Sequence, residues 1–326
     1  MTDTFSHARQ MPFSLPLPEA LQRIDSTFGI KRIIAEEGRD ILTPYYIQSE
    51  PAYQRIHSQK GCMHVALNRE GQFDPDGYME QVREVTRHIR DLGASRVLEL
   101  GSGMGFNSVA LGGEHPDVTF TGLDLMPHHV ARASERMQAA SLTNVTFRQG
   151  SYQDIPTEFD GVDLVFGIET LCYATDIDAV ARDVARVLRP GGRFIMYDGF
   201  RRPDFDSAPQ DVILATRLFE VTTAVTNGFF KLSDWYNALE KAGLRVTRTE
   251  DLTDATIPAM RVLQARAYKF FKSWKYRFLR HIMPKYLIWN AVAGLTGPFM
   301  IEGPENDRGL AGGCLTYNLL VAEKPR

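Results

Sequence analysis

Three glycines at alternate positions, Gly101, Gly103 and Gly105, follow directly on the apolar run Arg96-Val-Leu-Glu-Leu100. Glycine at such a point lets the backbone turn tightly and approach a ligand closely. A second apolar run, Val118-Thr-Phe-Thr-Gly-Leu123, ends on Asp124, where a carboxylate can accept from both hydroxyls of a ribose. The glycine spacing is G-x-G-x-G, not the G-x-G-x-x-G of a dinucleotide site. Glu99 stands two residues before the first glycine. A carboxylate there repels phosphate and suits a cationic ligand that carries an amino-acid group. Another acid, Glu169, comes just past the apolar run at 162–167. Open α/β sheets hold their ligands at the carboxyl ends of the strands, so Glu169 is a candidate catalytic group.

The elements that must position these residues alternate along the chain. Strand candidates are 96–100, 118–123, 144–149, 162–167, 193–198, 244–250 and 314–322, with helices near 105–112, 127–140, 177–188 and 233–242. Such alternation implies βαβ units and a mainly parallel sheet. Upstream, 18–37 reads as a helix and 41–68 as an irregular or helical cap. Asp74-Pro75 starts a helix that stops near Gly93: an acidic cap, proline at the first helical position, and glycine just past the end. Two insertions, 201–231 and about 253–313, are too long to be idle loops and are candidate substrate caps. The division expected is a helical cap or lid over 1–92, a ligand-binding core over 93–250, a second cap over 251–313 and a last core strand over 314–326.

The segment Glu99-Leu-Gly-Ser-Gly-Met-Gly105, the acid Asp124 and the phrase Leu188-Arg-Pro-Gly-Gly-Arg-Phe194 together resemble the class I S-adenosylmethionine-dependent methyltransferases. The resemblance implies an α/β, Rossmann-like fold of seven strands, mostly parallel with the last antiparallel, and S-adenosylmethionine as the methyl donor. It places Glu99, Gly101, Ser102, Gly103, Asn107, Asp124, Leu125, Ser151, Tyr152 and Ile168 around that cofactor. Ser151 stands where the family usually has an Asp on the adenine amine, so Ser151, Gln153 or Asp154 is expected to take that contact.

Three short stretches narrow the resemblance. Phe166-Gly-Ile-Glu-Thr-Leu-Cys-Tyr-Ala-Thr-Asp176 is similar to the stretch after the fourth strand in sterol and prenyl-diphosphate C-methyltransferases. Lys60-Gly-Cys-Met-His-Val-Ala66 resembles a segment ahead of the fold in the sterol enzymes, and Asp251-Leu-Thr-Asp-Ala-Thr-Ile-Pro258 one in the prenyl enzymes. The implied reaction is methylation of an alkene in a lipophilic isoprenoid-type acceptor through a carbocation. Glu169 is then the base, Tyr173 an aromatic stabiliser of the cation, and His64 part of a lid over the methyl donor. Tyr45, Tyr46, Phe200, Phe271 and Trp274 are the candidate acceptor contacts. A free Glu titrates at about 4.3, so Glu169 is expected as carboxylate at neutral pH unless it is heavily desolvated. The alternative is O-methylation of a phenol, quinol or carboxylic acid, which needs a base on the acceptor; His57, His64, His128 and His129 are available. No metal-ligand spacing occurs, and Mg²⁺ would enter only with a diphosphate substrate.

Between Ala255 and Ile301 there is no Asp or Glu but there are eight Lys or Arg. Phe271, Trp274 and Phe278 are spaced for one helical face, with Lys269, Lys272 and Arg280 beside them. The stretch fits a helix packed on the body, a cationic rim for an amphiphilic anion, or a helix resting on a membrane surface. A net charge of −3 over 326 residues argues against a nucleic-acid binder. Three dispersed cysteines, Cys62, Cys172 and Cys314, argue against a disulfide framework and for a reducing compartment. The N-terminus lacks the basic start and apolar core of a secretory signal. The longest apolar stretch, 286–301, is broken by Asn290, Gly294, Gly297 and Pro298 and is too short to span a bilayer. The expectation is a cytoplasmic enzyme with a small lipophilic substrate, no nucleic acid and no transmembrane segment, with peripheral membrane contact and self-association left open.

Overall fold

The computed structural model describes residues 14–53, 57–58, 61–274, 278, 282–304 and 313–326. Seven strands form one sheet: β1 (Arg96–Leu100), β2 (Thr119–Asp124), β3 (Val145–Gln149), β4 (Val162–Ile168), β5 (Leu188–Arg201), β6 (Arg245–Asp251) and β7 (Leu315–Glu323). Their order is β3-β2-β1-β4-β5-β7-β6. Neighbours from β3 to β5 pair in parallel, and β7 runs antiparallel to both β5 and β6. The mostly parallel seven-stranded fold is therefore as expected. Strand order reverses between β1 and β4, which opens a crevice beyond their carboxyl ends. Gly101 follows β1 and Glu169 follows β4, so both chemistry-bearing segments lie at that crevice.

Helices cover both faces of the sheet, which is why β4 is buried along its whole length. On one face lie α4 (Glu80–Leu92), α5 (Phe106–Glu114) and α6 (Pro127–Ala139); Val82, Val85, Ile89, Leu111 and Ala133 pack on Val97, Phe120 and Leu164. On the other lie α7 (Ile177–Val187) and α9 (Leu232–Lys241), with Val180, Val184, Trp235 and Leu239 against Leu98, Val165 and Phe194. Asp176 caps α7 by accepting from the Ala179 amide at 2.9 Å.

Three local differences from the sequence expectation have plain causes. The helix over 18–37 breaks into α1 (Leu17–Phe28) and α2 (Ile30–Ile34) at Gly29, whose φ is 77°. The helix opened by Asp74 starts as a 3₁₀ turn, Pro75–Met79, before α4, and it ends at Gly93 in the left-handed region as expected. Strand β5 starts at Leu188, well before 193: Val162 pairs with Leu188 and Leu164 with Arg193, so the residues between bulge out. Helix α4 packs on the sheet together with Cys62, Val65 and Leu67 of the N-terminal segment.

A third apolar cluster forms a helical cap. It joins α1, α3 (Leu42–Ala52) and the two insertions, which supply α8 (Gln210–Thr222), α10 (Thr253–Lys272) and α11 (Lys285–Glu302). Ile24, Tyr45, Leu218, Trp289 and Leu295 meet in it. The hydrophobic run of 286–301 is thus the buried centre of a cap. Among the described residues no helix is long and apolar enough to cross a membrane. Residues 305–312, Lys60, Arg280 and most of 1–15 lie outside the described residues.

Helices α10 and α11 are also joined by an ion pair, Arg261 Nε to Glu302 Oε1 at 2.9 Å, with both side chains at most 2% exposed. Removing one partner of a buried pair leaves the other charge without compensation, at a cost of about 3–5 kcal/mol. Glu302→Leu is therefore expected to destabilise by that order in chemical denaturation. Arg261→Met with Glu302→Leu should recover most of the loss, and equal losses in the single and double variants would contradict the account.

Candidate active site

A cavity of about 600 Å³ opens between the carboxyl edge of the sheet and the helical cap, a size typical of a small-molecule site. At its sheet end the glycine turn supplies the floor. Gly101, Gly103 and Gly105 have φ of 63°, 50° and 75°, a region that disfavours any side chain. A Cβ at Gly105 would also lie 2.7 Å from the Phe147 ring and 2.8 Å from the Ala133 methyl. Asp124, at the end of β2, faces the turn: its Oδ2 accepts from the Gly103 amide at 2.8 Å and its Oδ1 from the Met126 amide at 2.9 Å. Ser102 Oγ and Asn107 Oδ1 are buried, have no partner, and belong to residues of the cavity wall. Buried polar atoms without partners are costly, so these two mark places where a polar ligand belongs. Leu125, Ser151, Tyr152, Gln153 and Ile168 complete this end.

Two expected cofactor contacts fall elsewhere. Glu99 does not line the cavity. Its Oε1 accepts from Asn107 Nδ2 at 2.9 Å and its Oε2 from Ser108 Oγ. Glu99 thus clamps β1 to α5, and burial pushes its pKa up to about 7. Asp154 is exposed and outside the cavity wall, which removes it from the three adenine candidates. Of the other two, Gln153 spends its Oε1 on the Thr175 and Asp176 amides at 2.7 and 3.2 Å, and Ser151 Oγ accepts from the Gln153 amide at 3.1 Å.

Glu169 stands at the junction of the two ends. Its φ of 50° puts a non-glycine residue in the left-handed region, a strain worth about 1–3 kcal/mol. The Glu169 amide donates to the Tyr197 carbonyl at 2.8 Å. Its Oε1 accepts from the Val65 amide and from the Tyr317 hydroxyl, each at 2.9 Å, which leaves Oε2 for the cavity that Glu169 lines. Burial pushes its pKa up to about 7 against those two bonds. Glu169 is thus the desolvated case, with its pKa in the neutral range and not at the free value. A second acid of the same wall, Asp198 at the end of β5, is 1% exposed and also raised to about 7 by burial. It accepts from the Cys172 and Gly199 amides at 2.9 Å, which fixes the 3₁₀ turn Leu171–Tyr173.

The cap end is lined by aromatics. The Tyr46 hydroxyl donates to the Tyr173 hydroxyl at 3.1 Å, which donates to the Thr223 carbonyl at 3.1 Å. Tyr45 and Tyr53 hydroxyls are 2.8 Å apart, and Phe219, Phe229 and Phe270 stand in the same wall. Tyr45, Tyr46 and Tyr173 are all in that wall. Three other acceptor candidates are not. Phe200 points to the opposite layer and packs in the sheet core with Trp235, because strand alternation turns it away from the cavity-lining Gly199. Phe271 is buried against Phe28 at 5.8 Å between ring centres, and its neighbour Phe270 faces the cavity instead. Trp274 is 73% exposed and lies past the end of α10 at Lys272, so the continuous face through 271, 274 and 278 does not form.

His64 lines the cavity but is not poised for proton transfer at Nε2. That nitrogen is 3.0 Å from the Tyr78 carbonyl, which can only accept, so Nε2 carries a hydrogen. Burial lowers the His64 pKa to about 4 and keeps the ring neutral. His57 likewise spends Nε2 on the His64 carbonyl at 2.9 Å, and His129 Nδ1 lies 3.3 Å from Asp124 Oδ1. The segment 61–65 does sit over the site: Met63 Sδ is 2.9 Å from where a Gly103 Cβ would stand, and the Val65 amide holds Glu169. Among the described residues no three His, Cys, Asp or Glu side chains gather to hold a metal ion. Sequence reasoning missed Asp198, Tyr53, Met63 and Tyr317. Asp198 had a signal, since it ends the apolar run of β5 as Asp124 ends that of β2.

The glycine turn, the facing acid and the unpartnered Ser102 and Asn107 atoms fit the cofactor that the sequence implies. A family model described as a methyltransferase domain matches residues 92–243. The chain is 29% identical to 27-O-demethylrifamycin SV methyltransferase of Amycolatopsis mediterranei, over 57% of this chain and 66% of that protein. It is 28% identical to a sterol 24-C-methyltransferase of Schizosaccharomyces pombe, over 50% of this chain and 43% of that one. Among solved structures, geranyl diphosphate C-methyltransferase from Streptomyces coelicolor A3(2) superposes with a TM-score of 0.58 at 17% identity, covering 87% of this chain and 96% of that one. The matches span 57%, 66% and 41% of the first curated relatives, about half their length. The chain carries a methyltransferase domain over residues 92–243 and resembles the class I S-adenosylmethionine-dependent methyltransferases, the sterol C-methyltransferases among them.

Proposed function

We propose that the protein methylates an alkene carbon of a lipophilic isoprenoid-type acceptor, a prenyl diphosphate or a sterol-like terpenoid, with Glu169 as the base. The observation that carries this reading is a desolvated carboxylate with one free oxygen, set in the wall of an apolar, tyrosine-lined cavity beside the glycine turn. S-adenosylmethionine, when bound, supplies an electrophilic methyl group on a sulfonium. Asp124 would take the ribose hydroxyls, while Ser102 and Asn107 would meet its other polar groups. The rest is the work of the chain itself. The cap excludes water, and the walls hold the acceptor carbon in line with the methyl, which supplies much of the rate.

The π electrons of the acceptor form the new carbon–carbon bond as the methyl–sulfur bond breaks, with the electron pair left on sulfur. The acceptor becomes a cation. Tyr46, Tyr173 and the neighbouring ring faces stabilise it by their quadrupoles. Glu169 adds a charge in a site of low polarity and then removes the proton whose loss restores the double bond. The sterol 24-C-methyltransferase relative supports this reading. O-methylation of a lipophilic hydroxyl or carboxyl group is the second reading, supported by the 27-O-demethylrifamycin relative; Glu169 would there deprotonate the acceptor.

Glu169→Gln keeps the hydrogen-bonding shape and removes the base. Its affinity for S-adenosylmethionine, by calorimetry, should stay within a few-fold of wild type, while methyl transfer to the acceptor falls by about 10²–10⁴. Unchanged turnover would remove Glu169 from the mechanism. The single-turnover rate should rise with pH through about 7, because the carboxylate is the active form, changing about tenfold per unit on the acid side and levelling above. A flat profile from acid to neutral pH would contradict it. Asp124→Ala should weaken S-adenosylmethionine about tenfold or more, the scale of charge-assisted hydrogen bonds; unaltered affinity would move the ribose elsewhere.

A further inference from the structure

Five large apolar side chains are exposed among the described residues: Ile47, Leu125, Trp274, Phe278 and Ile282. Three of them fall at four-residue intervals, with exposures of 73%, 69% and 69% for Trp274, Phe278 and Ile282. Trp274 and Phe278 are helical and Ile282 stands in a turn. The patch is tied to the cavity at both ends. Lys269 and Phe270 line the cavity just before it, and Met283 and Leu287 just after it. The chain therefore leaves the cavity wall, exposes three large apolar groups to the outside, and returns to the wall.

Charge singles out the same stretch of chain. The stretch from Ala255 to Ile301 holds eight of the 37 Lys and Arg and none of the 40 Asp and Glu, so it is net +8 while the rest of the chain is net −11. Arg261 and Lys285 are matched by Glu302 and Glu36. Arg266, Lys269 and Lys272 are solvent-facing at three-residue intervals along the end of α10. Exposed Trp and Phe with cations beside them, on an otherwise acidic molecule, match the requirements of an anionic bilayer surface: rings seat at the headgroup level and cations meet the lipid phosphates. A soluble partner with an acidic rim would satisfy the cations but gives no reason for the patch to adjoin the wall of a lipophilic cavity.

We propose that the Trp274–Phe278–Ile282 face docks on an anionic phospholipid surface and sets the cavity mouth against it. Passage of a lipophilic acceptor from the bilayer into the cavity rests on the function proposed above; the docking itself does not, and it is measured without turnover.

Trp235 and Trp289 are 0% and 2% exposed, and the chain has three tryptophans, so lipid can reach only Trp274. The full chain is mixed with vesicles of phosphatidylcholine, with or without phosphatidylglycerol, and sedimented; a parallel set carries brominated acyl chains. The expected result is binding at least about tenfold stronger to the anionic vesicles, with quenching of tryptophan fluorescence. The variant Trp274→Ser, Phe278→Ser and Ile282→Ser should lose both at unchanged circular dichroism and thermal midpoint, since all three side chains are exposed. No vesicle binding would overturn the proposal, as would binding without quenching or a triple variant that binds as wild type. A wild-type dimer in light scattering that the triple variant turns into a monomer would overturn it too, by assigning the patch to a second copy.

Discussion

Everything at this site depends on one carboxylate held out of water. Glu169 is drawn into the wall by three short bonds: its amide to Tyr197 on β5, and its Oε1 to Val65 and Tyr317. Those partners come from the centre of the sheet, from the segment over the glycine turn and from the last strand. The left-handed backbone at Glu169 costs stability, and the three bonds from separate elements hold it there. Burial raises the affinity of this carboxylate for a proton to the neutral range, where a base is most effective. The same bonds limit the rise, because donors to Oε1 favour the ionised form.

The sheet and the cap divide the remaining work. Reversal of strand order at β1 and β4 brings the glycine turn and Glu169 side by side without special adaptation. Asp198, at the end of the next strand, fixes the turn that carries Tyr173. The cap then closes the cavity with α3, α8, α10 and α11, whose own apolar cluster is separate from the sheet core. Because that cluster draws on the N-terminal segment and on both insertions, the acceptor wall is assembled from distant parts of the chain. The same scaffold can thus present different walls to different acceptors.

How much of this was legible in the sequence follows from the range of the interactions. The seven strands, the glycine turn, Asp124 and Glu169 were readable because each is set by local pattern: an apolar run, then a turn, then a polar residue at a strand end. Glu99 and Phe200 show where local pattern stops. Both have the right residue type near the right place, but the register of β1 sends Glu99 to Asn107 and Ser108, and strand alternation sends Phe200 to the opposite layer. Phe271 and Trp274 failed for another reason: α10 ends at Lys272, so a spacing that assumed continuous helix divided them between the core and the surface. Tyr317 and Met63 left no signal at all, since their contacts join residues well separated in the chain.

The central claim is that the cavity matches methyl donor to alkene carbon. The measurement that tests it most directly is transfer of a labelled methyl from S-adenosylmethionine to a panel of prenyl diphosphates, sterols, quinols and fatty acids, with the new bond located by mass spectrometry. The account predicts a new carbon–carbon methyl on a prenyl chain or sterol. A methyl ether or ester as the only product would contradict it and leave Glu169 as a base for an oxygen acceptor.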